Sequence, residues 1–183
     1  MKKDLRIIKT QNNLRQALTN LLKNNSFEEI KVSDICSEAL INRSTFYAHY
    51  NDKYELLLDM INELKKDILL KVDYDKNSNN IREYYLALIK SLLDFMENSQ
   101  NIYKPIIINN RNSIIMDILL DVISKDVENN LNDYKNTLDV PVDILTKFYI
   151  GALVSICVSF LENPNRYTKK ELINYLSKLI PSI

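Results

Sequence analysis

The segment 41-INRSTFYAHYNDK-53 places two tyrosines, an arginine, a Ser-Thr pair and the only histidine of the chain in one short stretch. Asn42 can cap a helix through its side-chain oxygen, and Ile41 before it with Phe46 at the fourth helical position makes a hydrophobic staple. Phe46 and Tyr50 stand four apart and share the inward face. The outward face keeps Arg43, Ser44, Thr45, Tyr47, Ala48 and His49, which is a hydrogen-bonding and partly cationic set.

The flanking sequence gives this face its setting. From about Ile8 to Asn24, Leu14, Ala17, Leu18, Leu21 and Leu22 form the stripe of an amphipathic helix, which stops at the "KNNS" turn. Phe27, Ile30 and Val32 return the chain to the core, and a second short helix carries Ile35, Cys36 and Ala39. Behind the opening segment, Asp52 caps a fourth helix that begins at Lys53 and continues through "KYELLLDMINELKKDILLKV". Two short helices joined by a tight turn, the second one polar outside, form the pattern that inserts its second helix into the major groove of DNA. Arg43 suits phosphate or guanine edges, Ser44 and Thr45 suit phosphate or either base type, and Ala48 suits a thymine methyl. Tyr47 and His49 can bond phosphate oxygens while their rings cover sugar, and Lys53 adds a charge within reach of the same backbone.

Composition agrees with an all-helical chain: of 183 residues 46% are apolar, with only one Gly and four Pro. The net charge is zero, but residues 1–53 hold nine Lys or Arg against six Asp or Glu, a balance of +3 that sits with the opening motif. Cys36 and Cys157 lie far apart, each inside an apolar helical pattern, and read as small core residues. The N-terminus lacks the apolar stretch of a signal peptide. The run Phe148–Leu161 falls short of the ~20 residues that span a bilayer, so a soluble cytoplasmic protein without a membrane partner is expected. With one histidine and no nucleophile-base, zinc or phosphate-loop pattern, no enzyme, metal or cofactor is expected.

Near the C-terminus, Gly151, Ser155 and Ser159 make a small-residue stripe at i, i+4 and i+8, which lets another helix approach closely, in the same subunit or in a second one. After the break at Pro164, Thr168 and Glu171 form a capping box, and Leu172, Tyr175, Leu176 and Leu179 line one face of a last helix. The middle of the chain has polar breaks at "DYDKNSNN" and "ENSQNIYKP". Tyr85, Leu88, Phe95, Ile106, Ile107, Ile115, Met116 and Leu119 around them suit a core or an apolar ligand pocket equally.

From about Lys9 to Leu58 the sequence resembles the TetR family of transcriptional regulators, with "FEEIKVSDIC", "NRSTFYAHY" and "DKYELL" in that family's order and spacing. The resemblance implies DNA contact by Arg43, Ser44, Thr45, Tyr47, Ala48, His49 and Lys53, and contact with flanking phosphates near Thr10 and Lys31. It also implies that the segment from Phe148 to Ile180 builds a homodimer interface, with Gly151, Ser155, Ser159, Leu172, Leu176 and Leu179 in it. Two positions depart from the family pattern. Leu40 stands where the turn before the recognition helix usually has Gly, and Lys31 stands where the second helix usually opens with Thr, leaving Ser33 or water to satisfy its free amides. The expected architecture is a helix-turn-helix DNA-binding domain at 1–53 and a helical effector-binding and dimerisation domain at 54–183. The expected function is a ligand-responsive repressor acting as a homodimer on a pseudo-palindromic operator in double-stranded DNA, with a small-molecule effector of unknown identity. The alternative keeps the fold as an activator or adaptor acting through a protein partner.

Overall fold

The computed structural model describes residues 5–73, 81–131 and 140–179. Among them run nine helices and no strand: α1 Leu5–Leu22, α2 Val32–Glu38, α3 Arg43–Tyr47, α4 Lys53–Leu69, α5 Ile81–Asn98, α6 Gln100–Asn109, α7 Ile114–Leu131, α8 Val142–Glu162 and α9 Lys169–Leu179. The polar loop expected at 73–80 lies, apart from Asp73, outside the described residues. The break expected around "ENSQNIYKP" falls at Ser99, and Pro105 is accommodated inside α6.

The chain forms two compact units. Residues up to Glu63 join Asn101–Leu119 in the first, and Leu64–Gln100 joins residues from Leu120 onward in the second. The first unit therefore continues past residue 53 into α4 and takes in α6 and the start of α7. Its core gathers Leu14, Leu18 and Leu22 of α1, Phe27, Ile35 of α2, Phe46, and Leu56 and Leu57 of α4, all fully buried. Ile106 and Ile115 from the later segment are buried too, so of the residues left open between core and pocket these two are core.

Helix ends in this unit are settled by specific groups. Asp52 Oδ1 accepts the N–H groups of Tyr54 (2.8 Å) and Glu55 (2.9 Å) and so caps α4. Asn42 stands at the N-cap of α3, but its side chain makes no capping bond. At α2 the Asp34 carboxylate, rather than Ser33, reaches back to accept the Lys31 N–H at 2.9 Å.

In the second unit, Ile89 and Leu93 of α5, Cys157 of α8, and Leu172 and Leu176 of α9 form one buried cluster. Val127, Leu131 and Ile150 form another, with Tyr85 packed against it. Lys169 at the start of α9 bridges Asp94 (2.7 Å) and Glu97 (2.5 Å) on α5. The expected capping box is present, with the Thr168 N–H donating to Glu171 (2.8 Å) and the Glu171 N–H to Thr168 Oγ1 (3.2 Å). Both cysteines are free and buried. Burial pushes the Cys157 thiol up to about 12 and raises that of Cys36 as well, which keeps both in the unreactive thiol form.

Candidate nucleic-acid interface

The turn that leads into α3 decides where its side chains point. The Leu40 N–H donates to the Ser37 carbonyl at 3.2 Å and the Ile41 N–H to the Cys36 carbonyl at 3.0 Å. This pair of bonds is a Schellman motif, which needs a left-handed residue at its centre. Leu40 is that residue, with φ 55° and its side chain 92% exposed. The conformation that glycine would adopt freely is thus kept with leucine in place, at a cost of roughly 1 kcal/mol.

α3 has five residues, too few to hold a helix by itself. It is fixed from behind. Phe46 is fully buried, with the Tyr47 ring edge-on to it at 5.4 Å and the Tyr50 ring tilted at 6.0 Å. The Tyr50 hydroxyl donates to Asp59 Oδ2 on α4 at 2.6 Å, and Arg15 Nη1 on α1 donates to the same oxygen at 2.6 Å. Burial first, then the Asp59 hydrogen bond and charge, push the Tyr50 phenol far above its ordinary value, so it remains a donor at any physiological pH.

On the other face Arg43, Ser44, Tyr47 and Ala48 are exposed, and Thr45 and His49 are half-buried. The side-chain polar groups of Arg43, Ser44, Thr45, Tyr47 and His49 make no hydrogen bond among the described residues. The structure therefore brings together on one surface the six residues singled out from sequence. Lys31, exposed at the N-cap of α2, also keeps its ammonium clear of hydrogen bonds among the described residues.

Two other positions differ from expectation. The Thr10 hydroxyl donates to the Arg6 carbonyl at 3.0 Å, which leaves it only as an acceptor. Lys53 Nζ lies 2.8, 3.0 and 2.8 Å from the carbonyl oxygens of Phe27, Glu28 and Ile30, and 4.6 Å from the centre of the Phe27 ring. All three ammonium protons are engaged inside the protein, and desolvation holds its pKa below the usual lysine value despite the nearby Glu28 charge. A short helix with a locked back and a free polar face, following a left-handed turn after another short helix, is the geometry of a major-groove reader.

Two sequence families match the chain: "Bacterial regulatory proteins, tetR family" over residues 14–60 and "Transcriptional regulator C-terminal region" of the TetR class over residues 83–182. The chain belongs to the TetR family of transcriptional regulators. It is 26% identical over 176 residues to the HTH-type dhaKLM operon transcriptional activator DhaS of Lactococcus lactis, covering 91% of this chain and 88% of that protein. Its fold is similar to that of a TetR transcriptional regulator from Streptococcus agalactiae, with TM-score 0.66 and 23% identity over 97% of this chain and 96% of the other. It is also similar to that of NalD, the secondary repressor of the MexAB-OprM multidrug efflux pump in Pseudomonas aeruginosa, with TM-score 0.62 and 12% identity over 94% and 96%. The TetR fold here is all-α, with the helix-turn-helix domain first and a helical domain after it. The family is one of regulators and not of enzymes.

Of the α8 and α9 residues that the resemblance implied for a dimer surface, the structure buries some and leaves others exposed. Leu172 and Leu176 point into the unit's own core, because Ile89, Leu93 and Cys157 lie on that side. The exposed face of α9 carries Tyr175 (46%) and Leu179 (64%) instead. On α8, Gly151 and Ser155 are exposed and Ser159 is half-buried, and among the described residues no atom beyond the adjoining residues and backbone of α8 itself comes within 4 Å of where a Cβ on Gly151 would stand. Ile144 (54% exposed) and Phe148 (69%) extend that stripe; Phe148 opens the segment expected to form the interface, whereas Ile144 lies before it. α8 has 21 residues and is long and apolar enough to cross a membrane by length and composition.

Proposed function

We propose that the protein is a soluble, cytoplasmic homodimer that binds a pseudo-palindromic operator, one α3 per half-site, through Arg43, Ser44, Thr45, Tyr47, Ala48 and His49. Lys31 adds a phosphate contact at the flank, Thr10 joins it only by releasing the Arg6 carbonyl so that its hydroxyl can donate to a phosphate, and Lys53 acts by holding the turn at 27–30. The observation that carries this reading is the polar face of α3, which has no hydrogen-bonding partner among the described residues while its back is locked by Phe46, Tyr50 and Asp59.

The dimer forms through the exposed stripe Ile144, Phe148, Gly151, Ser155 and Ser159 of α8 with Tyr175 and Leu179 of α9. A C2 interface sets the two α3 helices at a fixed separation, near one helical turn of DNA (~34 Å) or a multiple. A small molecule held in the C-terminal helical domain favours a dimer with a different separation and releases the operator. A difference of about 1–3 kcal/mol in its affinity for the two geometries suffices. This describes a repressor. Arg43→Ala and Tyr47→Ala test it: both are expected to weaken operator binding while circular dichroism and sedimentation stay as in the wild type, and unchanged binding would remove α3 from the interface.

A second reading, an activator working through a protein partner on the same DNA, is favoured by the likeness to the activator DhaS over 91% of the chain. Deleting the gene separates the two, since output of the controlled promoter rises if the protein represses and falls if it activates.

A further inference from the structure

We infer that Asn110, Ser113 and Glu28 are positioning residues for operator binding, clasping the turn at 27–30 between the α6–α7 junction and the start of α4. The inference rests on the DNA-binding reading above.

Residues 101–119 lie within the region matched by the C-terminal family, yet they pack in the same compact unit as the helix-turn-helix. Asn110 is 1% exposed and has both ends of its amide engaged, Oδ1 accepting the Phe27 N–H at 2.8 Å and Nδ2 donating to the Ile106 carbonyl at 2.9 Å. Beside it, Asn109 Nδ2 donates to the Lys23 carbonyl at 2.7 Å. Glu28 Oε1 accepts the Ser113 hydroxyl at 2.8 Å and the Ile114 N–H at 3.3 Å, so this carboxylate closes the first turn of α7. Burial works against its charge, but its own backbone N–H, Ser113, Ile114 and Lys53 outweigh that, and its pKa lies below the ordinary carboxylate value.

The opposite side of the turn is held by Lys53 through the carbonyls of Phe27, Glu28 and Ile30. Lys53 directly follows Asp52, the cap of α4, and Tyr50 at the back of α3 comes just before that. Directional bonds thus run from the α6–α7 junction through the turn to Lys53 at the start of α4, and Lys53 stands three residues along the chain from Tyr50 at the back of α3. Apolar packing tolerates small slips, whereas these bonds fix one register. Coupling between two sites is reciprocal, so operator binding must steady the α6–α7 junction, and whatever loosens that junction must weaken operator binding.

Charge gives the test its sign. Glu28 is acidic in the DNA-facing unit, and by charge alone its removal raises affinity for a polyanion. Positioning predicts the reverse.

The experiment uses the full chain and a duplex selected by the wild type from a random-sequence pool, beside a scrambled duplex. Fluorescence anisotropy is read for the wild type, Glu28→Ala, Glu28→Gln and Ser113→Ala, and amide exchange is followed across residues 110–116 with and without the selected duplex. Glu28→Ala is expected to bind the selected duplex about tenfold more weakly and the scrambled one no more weakly. Glu28→Gln, which keeps the acceptor oxygen, is expected to stay close to wild type, and the duplex slows exchange across 110–116 in the wild type and in Glu28→Gln but not in Glu28→Ala. If Glu28→Ala does not fold, Ser113→Ala, which removes one of the two bonds, is expected to show the same loss in smaller measure. Wild-type binding with Glu28→Ala or a folded Ser113→Ala equal to or tighter than it, or with exchange indifferent to the duplex, would overturn the inference and leave the DNA reading standing. No wild-type binding to any duplex would overturn both.

Discussion

α3 and α8 both turn a face away from their own chain, and the two faces have opposite chemistry. α3 is five residues long and shows Arg43, Ser44 and Tyr47. α8 is 21 residues long and shows Ile144 and Phe148 beside Gly151 and Ser155. Exposed polar groups are satisfied by water until a better anionic partner arrives, so α3 can wait for DNA without penalty. An exposed apolar stripe stays costly in water until another apolar surface covers it, which is why the dimer proposed above is built on α8. Their support differs accordingly: α3 is too short to persist without the bonds and rings behind it, while α8 is buried on its other side at Ile150, Cys157, Val158 and Leu161.

The largest effect is expected at Phe148. If α8 covers its own copy, Phe148→Glu removes the same ring twice from a two-fold interface, at about 3–6 kcal/mol for two burials of about 1.5–3 kcal/mol each, and sedimentation shows monomers. A dimer of unchanged strength would break the comparison at its α8 end. Next in size, in the monomeric Phe148→Glu background Leu172→Ala costs about 2–5 kcal/mol of folding stability in urea because it empties a core position, while Leu179→Ala, with no partner subunit to touch there, changes it by less than about 0.5 kcal/mol. Equal costs would mean that the α9 register is wrong.

At the α3 end, Arg43→Ala is expected to cost about 1–3 kcal/mol of operator affinity and, where it grips phosphate, to lower the salt slope by about one. Lys53→Met lowers folding stability but leaves the slope unchanged, since its ammonium is held by three carbonyls. A slope reduced in Lys53→Met would restore that residue to the DNA surface. The smallest change is a gain: Leu40→Gly relieves the left-handed turn and stabilises the protein by about 1 kcal/mol in thermal unfolding.

The two regions were also unequally legible in sequence. In the helix-turn-helix the burial of Phe46 and Tyr50 against the exposure of Tyr47 follows from spacing alone, because a three-to-four-residue period on a short helix leaves one solution. The strain at Leu40 was visible as a missing glycine. Lys53 was not legible, because its partners are backbone carbonyls of residues 27–30 that no side-chain pattern encodes. Asn110 and Glu28 were hidden for a similar reason: they meet across more than eighty positions of chain, and an asparagine in an apolar segment gives no local sign of its partner. On α9 the stripe Leu172, Leu176 and Leu179 shows that one face is apolar but not which neighbour takes it. The α5 residues Ile89 and Leu93 take the first two, leaving Leu179 outside.

The measurement that bears most directly on the account is fluorescence anisotropy of the purified protein with DNA from upstream of its own gene, at about 50 and 200 mM salt, beside a scrambled duplex. The account predicts preference for the upstream duplex and, for a dimer making about 6–10 phosphate contacts, a loss of about 10³–10⁵ in affinity between the two salt concentrations. Affinity that ignores salt, with no preference over the scrambled duplex there or on fragments covering the whole genome, would contradict it.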